Sequence, residues 1–257
     1  MKKSIPFKSI PASSMRKLAI GAWGAPNNPS ASVELVFDVS RLNDHLPSGI
    51  QLKHAMIKLL STLLNQVPEL NTVIVRRKLR QRLNNRIFIP TVFRHQGMLD
   101  LSGIFIDNAH ALTCEEIKQE MAEKVSALRM GQDTTTNRVV SFFKACPSFL
   151  CKPIIRCMNF IHYSCNLSLS MIGFPNDPFG SLTLTFLDKF DIKHAHIPIY
   201  SFSKSPLTIA IGATYMNDTK TLLPVTVTFD HRHFDGYEGY RAYKKLTQWL
   251  KQPNQII

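Results

Sequence analysis

One stretch near the C-terminus decides the fold class, and the segment from Leu223 to Gly236 reads LPVTVTFDHRHFDG. Its apolar, β-branched start predicts a strand that runs into a polar cluster and then into a helix. His231 then stands at a strand end, where an ordinary pKa of about 6.5 suits a general base near neutral pH. Asp235 is placed to orient the loop or a cationic neighbour, and Gly236 suits a tight turn into the helix. On these residues alone, a structural salt-bridge cluster is the commoner interpretation.

The complete pattern of this stretch favours a catalytic site. A strand of the type L-P-x-x-x-x-F followed by D-H-R-x-x-D-G resembles the active-site motif of the dihydrolipoyl acyltransferases. These enzymes are the core components of 2-oxo acid dehydrogenase complexes, and chloramphenicol acetyltransferase is their structural relative. Every fixed position of the second motif is filled, by Asp230, His231, Arg232, Asp235 and Gly236.

Shorter matches to the same family follow in order along the chain. They are S-x-x-R-K-x-I at 14–20, a strand at 36–40, the turn P-E-L-N at 68–71, the segment GSLTLT at 180–185 and a strand ending in glycine at 206–212. Because these matches span nearly the whole chain, the resemblance implies a single catalytic domain over residues 1–257. It also implies an α+β, chloramphenicol acetyltransferase-like two-layer fold, with helices packed on a mixed β-sheet.

The resemblance implies a role for each matched position. His231 corresponds to the histidine that deprotonates a thiol or hydroxyl acceptor, which then attacks the thioester carbonyl of acyl-coenzyme A. Thr185 stands where the family has a serine that hydrogen-bonds the tetrahedral oxyanion, so the hydroxyl is kept and a methyl group is added. Asp235 and Arg16 correspond to a buried acid–arginine pair that shapes the histidine loop. The other matched residues, expected to support the site, are Asp230, Arg232 and Gly236.

The sequence also departs from the family. Phe186 follows Thr185 where a small or polar residue is common, which narrows the expected acceptor site. Neither a lipoyl domain nor a Pro/Ala-rich linker is recognisable. We therefore expect no lipoyl group on this chain, and a lipoyl or carrier-protein acceptor would be supplied in trans. The family further implies a homotrimer with active sites between subunits. The alternative is a non-catalytic trimeric scaffold or interaction protein that keeps the fold.

Composition restricts the partners without choosing among them. The 257 residues are 44% hydrophobic and 19% charged, which is typical of a globular protein. Basic residues exceed acidic ones by 31 − 18 = 13, which favours anionic partners such as nucleotide phosphates, an anionic membrane surface or acidic proteins. Nucleic acid is not expected, because no recognised binding motif accompanies the charge. No segment reads as transmembrane and no apolar stretch follows the basic N-terminus, which predicts a cytoplasmic protein.

Other kinds of site are weakly supported. The five cysteines, at 114, 146, 151, 157 and 165, lack C-x-x-C spacing, so buried reduced thiols are expected rather than disulfides or a zinc ribbon. The pairs His194/His196 and His231/His233 each predict two imidazoles on one side of a strand. No third ligand is regularly spaced, so no metal is expected.

Hydrophobic periodicity predicts the other elements. The predicted strands are 32–39, 73–75, 86–89, 101–106, 182–185, 207–212 and 223–229, and the predicted helices are 51–67, 113–128 and 237–250. We expect 73–75 and 86–89 to pair as a hairpin. The basic run from 76 to 94 contains no acidic residue. It either binds an anionic partner, such as the phosphates of coenzyme A or an acidic carrier, or forms a solvated edge.

Residues 136–172 combine aromatic and basic side chains in a segment with no counterpart in the complex-forming members of the family. We expect a helical insert in which Pro147 and Pro153 end short helices. A lid over the acyl site, a partner-docking surface and a membrane-surface patch are the functional alternatives to simple packing on the core. Packing or a lid is favoured over membrane binding, because the apolar and basic residues are not separated by face.

Overall fold

The computed structural model describes residues 30–76, 78–95, 98–132, 146–168, 177, 179–199 and 203–255. Some sequence predictions lie outside these residues: the helix at 14–20 with Arg16, and the two ends of the insert at 136–145 and 169–172. None of the helices in the described ranges is long and apolar enough to cross a lipid bilayer.

The described chain alternates strands and helices irregularly. The strands are β1 (Ser30–Asp38), β2 (Thr72–Val75), β3 (Lys78–Gln81), β4 (Arg86–His95), β5 (Met98–Asp107), β6 (Leu182–Phe186), β7 (Leu207–Ile211), β8 (Tyr215–Asn217) and β9 (Lys220–Asp230). The α-helices are α1 (Ser40–His45), α2 (Leu52–Gln66), α3 (Cys114–Arg129), α4 (Ser148–Asn159) and α5 (Gly236–Lys251). Single 3₁₀ turns cover Pro68–Leu70, Ala109–Ala111, Asp188–Phe190 and Pro253–Gln255, and a π-helical turn covers Phe160–Ser164.

Most strands join one mixed sheet in the order β1-β9-β7-β6-β4-β5, with β8 paired to the start of β9. β6 runs parallel to β4 and to β7, whereas β9 is antiparallel to β7 and to β1. In this register Phe229 lies opposite Leu207, the first residue of β7. The end of β9 therefore meets the sheet edge at which β6 and β7 begin.

Helices α2 and α5 pack on one face of this sheet. Their apolar sides meet alternate residues of the strands, as the two-residue period of a strand requires. The most fully buried side chains of this core include Met56, Ile57, Leu182, Leu184 and Leu223. The predicted α+β architecture, a mixed sheet with packed helices, is confirmed.

Helix α3 begins as its sequence predicts. Thr113 Oγ1 accepts a hydrogen bond from the Glu116 N–H at 3.2 Å, and the Glu116 carboxylate accepts one from the Thr113 N–H at 2.7 Å. This reciprocal capping box satisfies two N–H groups at the helix start.

The predicted hairpin between 73–75 and 86–89 is wrong. β2 pairs with β3 through a tight turn at Arg76, whose φ is +52°, and β4 pairs with β5 and β6. All four residues of β3 are exposed, so its charged side chains stay in water while its backbone pairs with β2. Such a strand shows no apolar alternation, and the sequence pattern therefore missed it. A solvated edge was one of the two alternatives for the basic run from 76 to 94. Arg82 does not fit that alternative, because only 7% of its side chain is exposed.

The described part of the insert is more continuous than its prolines suggest. Pro147 precedes α4 as predicted, but Pro153 lies inside the helix, which continues to Asn159. An interior proline loses the hydrogen bond to the carbonyl four residues earlier and crowds that carbonyl, which here is that of Phe149 near the exposed start of the helix. Tyr163, in the π-helical turn that follows, is buried. This end of the insert is therefore packed on the body of the protein.

Candidate active site

The D-H-R-x-x-D-G motif forms the turn that joins β9 to α5. Asp230 ends β9 with only 6% of its side chain exposed, and its backbone N–H donates to the Pro206 carbonyl at 3.0 Å. Its carboxylate accepts from the backbone N–H of Arg232 at 2.9 Å and from the guanidinium of Arg232 at 2.6 Å. The turn is thus folded around one buried carboxylate.

Electrostatic attraction also stabilises the Asp230–Arg232 pair. Burial acts to raise the pKa of Asp230, but the hydrogen bonds and positive charge of Arg232 outweigh it, so the pKa lies below its ordinary value. The same hydrogen bonds raise the pKa of Arg232. Asp230 is ionised at neutral pH and forms an ion pair with Arg232 inside the loop.

His231 projects from this turn into solvent. Its side chain is 48% exposed, and Nδ1 lies 3.4 Å from Oδ1 of Asp235. The edge of its ring meets the Phe229 ring, with 4.8 Å between centroids. One side of the imidazole is covered by contacts, and the rest is accessible to an incoming molecule.

Asp235 and Gly236 differ from what the resemblance implied. The Asp235 side chain is 82% exposed in this chain, so the expectation of a buried carboxylate is wrong for a single subunit. Its partner in the implied pair, Arg16, lies outside the described residues, and their pairing stays a prediction. Gly236 has no left-handed φ, and a Cβ placed on it would meet nothing within 4 Å. The turn itself does not require glycine here.

His233 is a neighbour that the sequence did not single out as a site residue. It is buried, its Nδ1 lies 2.9 Å from the Thr72 hydroxyl, and its Nε2 lies 4.0 Å from Asp230. Burial is the main cause that lowers its pKa to about 4, so this imidazole is neutral at pH 7. His233 therefore braces the loop and is not accessible as a base.

A chain of polar contacts continues from His233 to the insert. The guanidinium of Arg82 donates to the Thr72 carbonyl and forms a two-pronged pair with Asp177, at 2.7 and 3.1 Å. Tyr163 donates its hydroxyl to the same carboxylate at 3.1 Å. No sequence pattern predicts this network, because its members are far apart in the chain and none belongs to a motif.

Thr185 lies far from His231 within one chain. Thr185 is opposite Ala210, and Ala210 is opposite Thr226 on β9. His231 follows Thr226 by five residues, which is about 17 Å along extended backbone, and two strand spacings add about 10 Å sideways. The two positions are therefore roughly 20 Å apart, too far to act on one carbonyl group.

Thr185 belongs to a polar face of the sheet, opposite the helices. A row of hydroxyl residues crosses that face, formed by Thr183, Thr208, Thr228 and Ser32 on four adjacent strands. His194 lies 3.2 Å from the Thr226 hydroxyl and His196 lies 2.9 Å from Glu34. The segment that carries these two histidines is not a strand, which corrects the sequence prediction. Across the described ranges, no three His, Cys, Asp or Glu side chains are grouped as metal ligands.

Comparison with known proteins identifies the fold. The sequence matches no protein-family model and none of the curated proteins with which it was compared. Among solved structures, dihydrolipoamide acetyltransferase of Azotobacter vinelandii matches with a TM-score of 0.62 at 14% identity, over 98% of this chain and 94% of that one. The chain has the fold of these acyltransferases.

Two further structures agree with this assignment. The truncated catalytic core of the 2-oxoacid dehydrogenase multienzyme complex from Thermoplasma acidophilum gives a TM-score of 0.63 at 15% identity, over 96% of this chain and 100% of that one. Chloramphenicol acetyltransferase gives 0.52 at 14% identity, over 87% and 89%. The chloramphenicol acetyltransferase-like fold implied by the sequence motifs is thereby confirmed. Identities this low establish the fold, and the reaction has to be argued from the site.

Proposed function

We propose that the protein is a coenzyme A-dependent acyltransferase that moves an acyl group between acyl-coenzyme A and a thiol or hydroxyl acceptor. The observation that carries the proposal is the exposed imidazole of His231, held on a turn built around the buried Asp230. Work on the Azotobacter enzyme names a serine, a histidine and an asparagine four positions after that histidine in its catalytic mechanism. Thr185, His231 and Asp235 occur here in the same order, with the same four-residue spacing.

The chemistry assigned to His231 is general base catalysis. With Nδ1 directed to Asp235, the lone pair of Nε2 takes the proton of the acceptor. The acceptor sulfur or oxygen bonds to the acyl carbon of the thioester, and a tetrahedral oxyanion forms. The carbon–sulfur bond to coenzyme A then breaks, and the imidazolium returns its proton to the leaving thiolate. No atom is left over, and His231 ends neutral.

Thr185 is proposed to donate its hydroxyl to the oxyanion. One such donor is typically worth about 2.7–4 kcal/mol of transition-state stabilisation. Because Thr185 and His231 are far apart in one chain, they act together only if they come from two subunits. We therefore propose a homotrimer in which each active site is shared between neighbours. A cyclic, head-to-tail interface closes after three copies and forms three equivalent sites.

The excess of 13 positive charges supports binding of the coenzyme A phosphates. The acceptor is proposed to be a lipoyl group or carrier protein supplied in trans, or a small thiol or alcohol, and the cytoplasm is its expected location. Asp230, Arg232 and Gly236 form the supporting loop in this scheme, with no metal involved.

The test is acyl transfer from acyl-coenzyme A by the purified protein. His231→Ala should lower turnover roughly 10²–10⁴-fold, the usual contribution of a general base. His45→Ala is the matched control, because His45 is an exposed histidine at the end of α1. Thermal unfolding of each variant checks the fold. Normal turnover in a folded His231→Ala protein would rule out the catalytic role, and absent coenzyme A binding in the wild type would favour the scaffold alternative.

A further inference from the structure

An apolar cavity lies between the sheet and its helices, next to the candidate site. Its volume is about 410 Å³, and strands β1, β6, β7 and β9 form one wall while α2 and α5 form the other. No charged residue lines it among the described parts of the chain, and its only side-chain polar groups besides a thioether are the hydroxyls of Tyr240 and Tyr243. Water finds few hydrogen-bond partners in such a space, so a ligand that fills it must be apolar.

The cavity is too large to be a packing defect. Protein cores contain few voids larger than a water molecule. A cavity of about 150 Å³ already holds benzene, which corresponds to roughly 25 Å³ for each carbon. At that ratio the present cavity has room for up to about sixteen carbons, and its volume lies in the range of small-molecule sites.

Two glycines form part of the cavity wall on α5. Gly236 and Gly239 are three residues apart on α5, so they lie on the same side of the helix, and both line the cavity. A Cβ on either would meet nothing within 4 Å, and neither has a left-handed φ. Tyr240, next to them, is 56% exposed. Glycine is needed here for neither backbone conformation nor packing, and the pair leaves a slot without side chains.

This part of the cavity wall is adjacent to the proposed general base. Phe229 and Phe234 both line the cavity, and their rings stack with 5.1 Å between centroids. Phe229 also contacts the His231 ring. Gly236 follows the histidine loop directly. A thioester carbonyl held at His231 would thus have its hydrocarbon chain at the glycine slot.

We propose that this cavity binds the hydrocarbon chain of the acyl group, so that the substrates are straight-chain acyl thioesters of roughly eight to sixteen carbons. The identity of the substrates as acyl thioesters rests on the proposed acyl transfer. Binding of a hydrocarbon chain in the cavity does not depend on it. Each buried methylene should strengthen binding about threefold to fourfold until the cavity is full.

The experiment measures chain binding and transfer separately, on the full chain. Decanoic acid, which has no thioester and cannot act as an acyl donor, is titrated calorimetrically into the His231→Ala protein. Acetyl-, octanoyl- and dodecanoyl-coenzyme A are compared as donors for the wild type. Gly239→Leu places a side chain in the slot. Gly236→Leu, at an exposed position that also lines the cavity, is a second variant in case the first does not fold. Gln248→Leu adds the same side chain to the outer side of α5 and serves as the control.

We expect decanoic acid to bind, and kcat/KM to rise at least tenfold from acetyl to dodecanoyl. Gly239→Leu should lower the dodecanoyl-to-acetyl ratio at least tenfold, and Gln248→Leu should leave that ratio unchanged. Wild-type transfer without chain-length preference would overturn the inference while acyl transfer stands. Suppose that decanoic acid binds, that Gly239→Leu abolishes this binding, and that the wild type transfers no acyl group. This result would support the cavity as a chain-binding site and would refute the proposed function. Absence of decanoic acid binding would overturn the inference.

Discussion

Two buried histidines should make this fold sensitive to mild acid. His54 in α2 and His233 after β9 are 5% and 7% exposed. Burial is the largest cause that lowers the pKa of each from 6.5 to about 4, so the folded protein keeps both imidazoles neutral well below pH 6. The unfolded chain binds protons at the same two positions below about pH 6.5.

The sign and size of the effect follow from this difference in proton binding. Their contribution to stability is complete above about pH 6.5 and is lost as the pH falls towards 4, because only the unfolded state gains protons in that interval. Each histidine lowers the free energy of unfolding by about 1.4 kcal/mol per pH unit. Across the interval the two remove about 6–7 kcal/mol, a large part of the roughly 5–15 kcal/mol typical of a domain.

The assay is urea unfolding at several pH values from about 7 to about 4.5. His54→Gln and His233→Gln disturb buried contacts and should be less stable at pH 7. Their stability should then fall with pH only about half as steeply as that of the wild type. His45→Gln, an exposed control, should keep the wild-type slope. A wild type whose stability is flat from pH 6.5 to 4.5, or variants that retain its full slope, would refute buried neutral imidazoles.

Two further predictions concern stability. Asp177→Leu leaves the guanidinium of Arg82 buried without its carboxylate and should lower the free energy of unfolding by about 3 kcal/mol. The Arg82→Met/Asp177→Leu double variant should recover part of this loss, and additive effects of the two substitutions would show that the pair is not coupled. Thr113→Ala removes the cap of α3 and should cost about 1 kcal/mol in urea unfolding, whereas Gln119→Ala, exposed on the same helix, should not; equal effects would argue against the capping box.

Periodicity and caps were sufficient for most of the described elements. The sequences of β1, β6, β7 and β9 alternate apolar and polar residues or carry β-branched runs, and α3 has its capping box in the local sequence. β3 was missed because all four of its residues are exposed and only Leu79 among them is apolar, so the strand has no buried face to produce an apolar alternation. Pro153 was misread because one lost hydrogen bond near a helix start does not end a helix.

The candidate site could be predicted only in part from the sequence. The turn after β9 and the exposed imidazole of His231 could be inferred from a strand that runs into a polar cluster. The burial of His233 depends on Thr72 and Asp230 around it, and the separation of Thr185 from His231 depends on strand order and register, which a linear pattern does not contain. The cavity was also hidden, since residues such as Leu35 and Val227 look like ordinary core in the sequence.

The most direct test of the central claim, a catalytic site shared between subunits, is complementation. His231→Ala and Thr185→Ala proteins are prepared separately, each weakly active, and are then unfolded together and refolded as a mixture. In a cyclic trimer every mixed assembly contains one interface with both wild-type groups, so about one quarter of all sites should regain activity. Acyl transfer by the mixture should then exceed that of either variant by a wide margin. Activity no greater than the average of the two variants, in trimers confirmed by light scattering and shown by native mass spectrometry to contain both variants, would contradict the shared site.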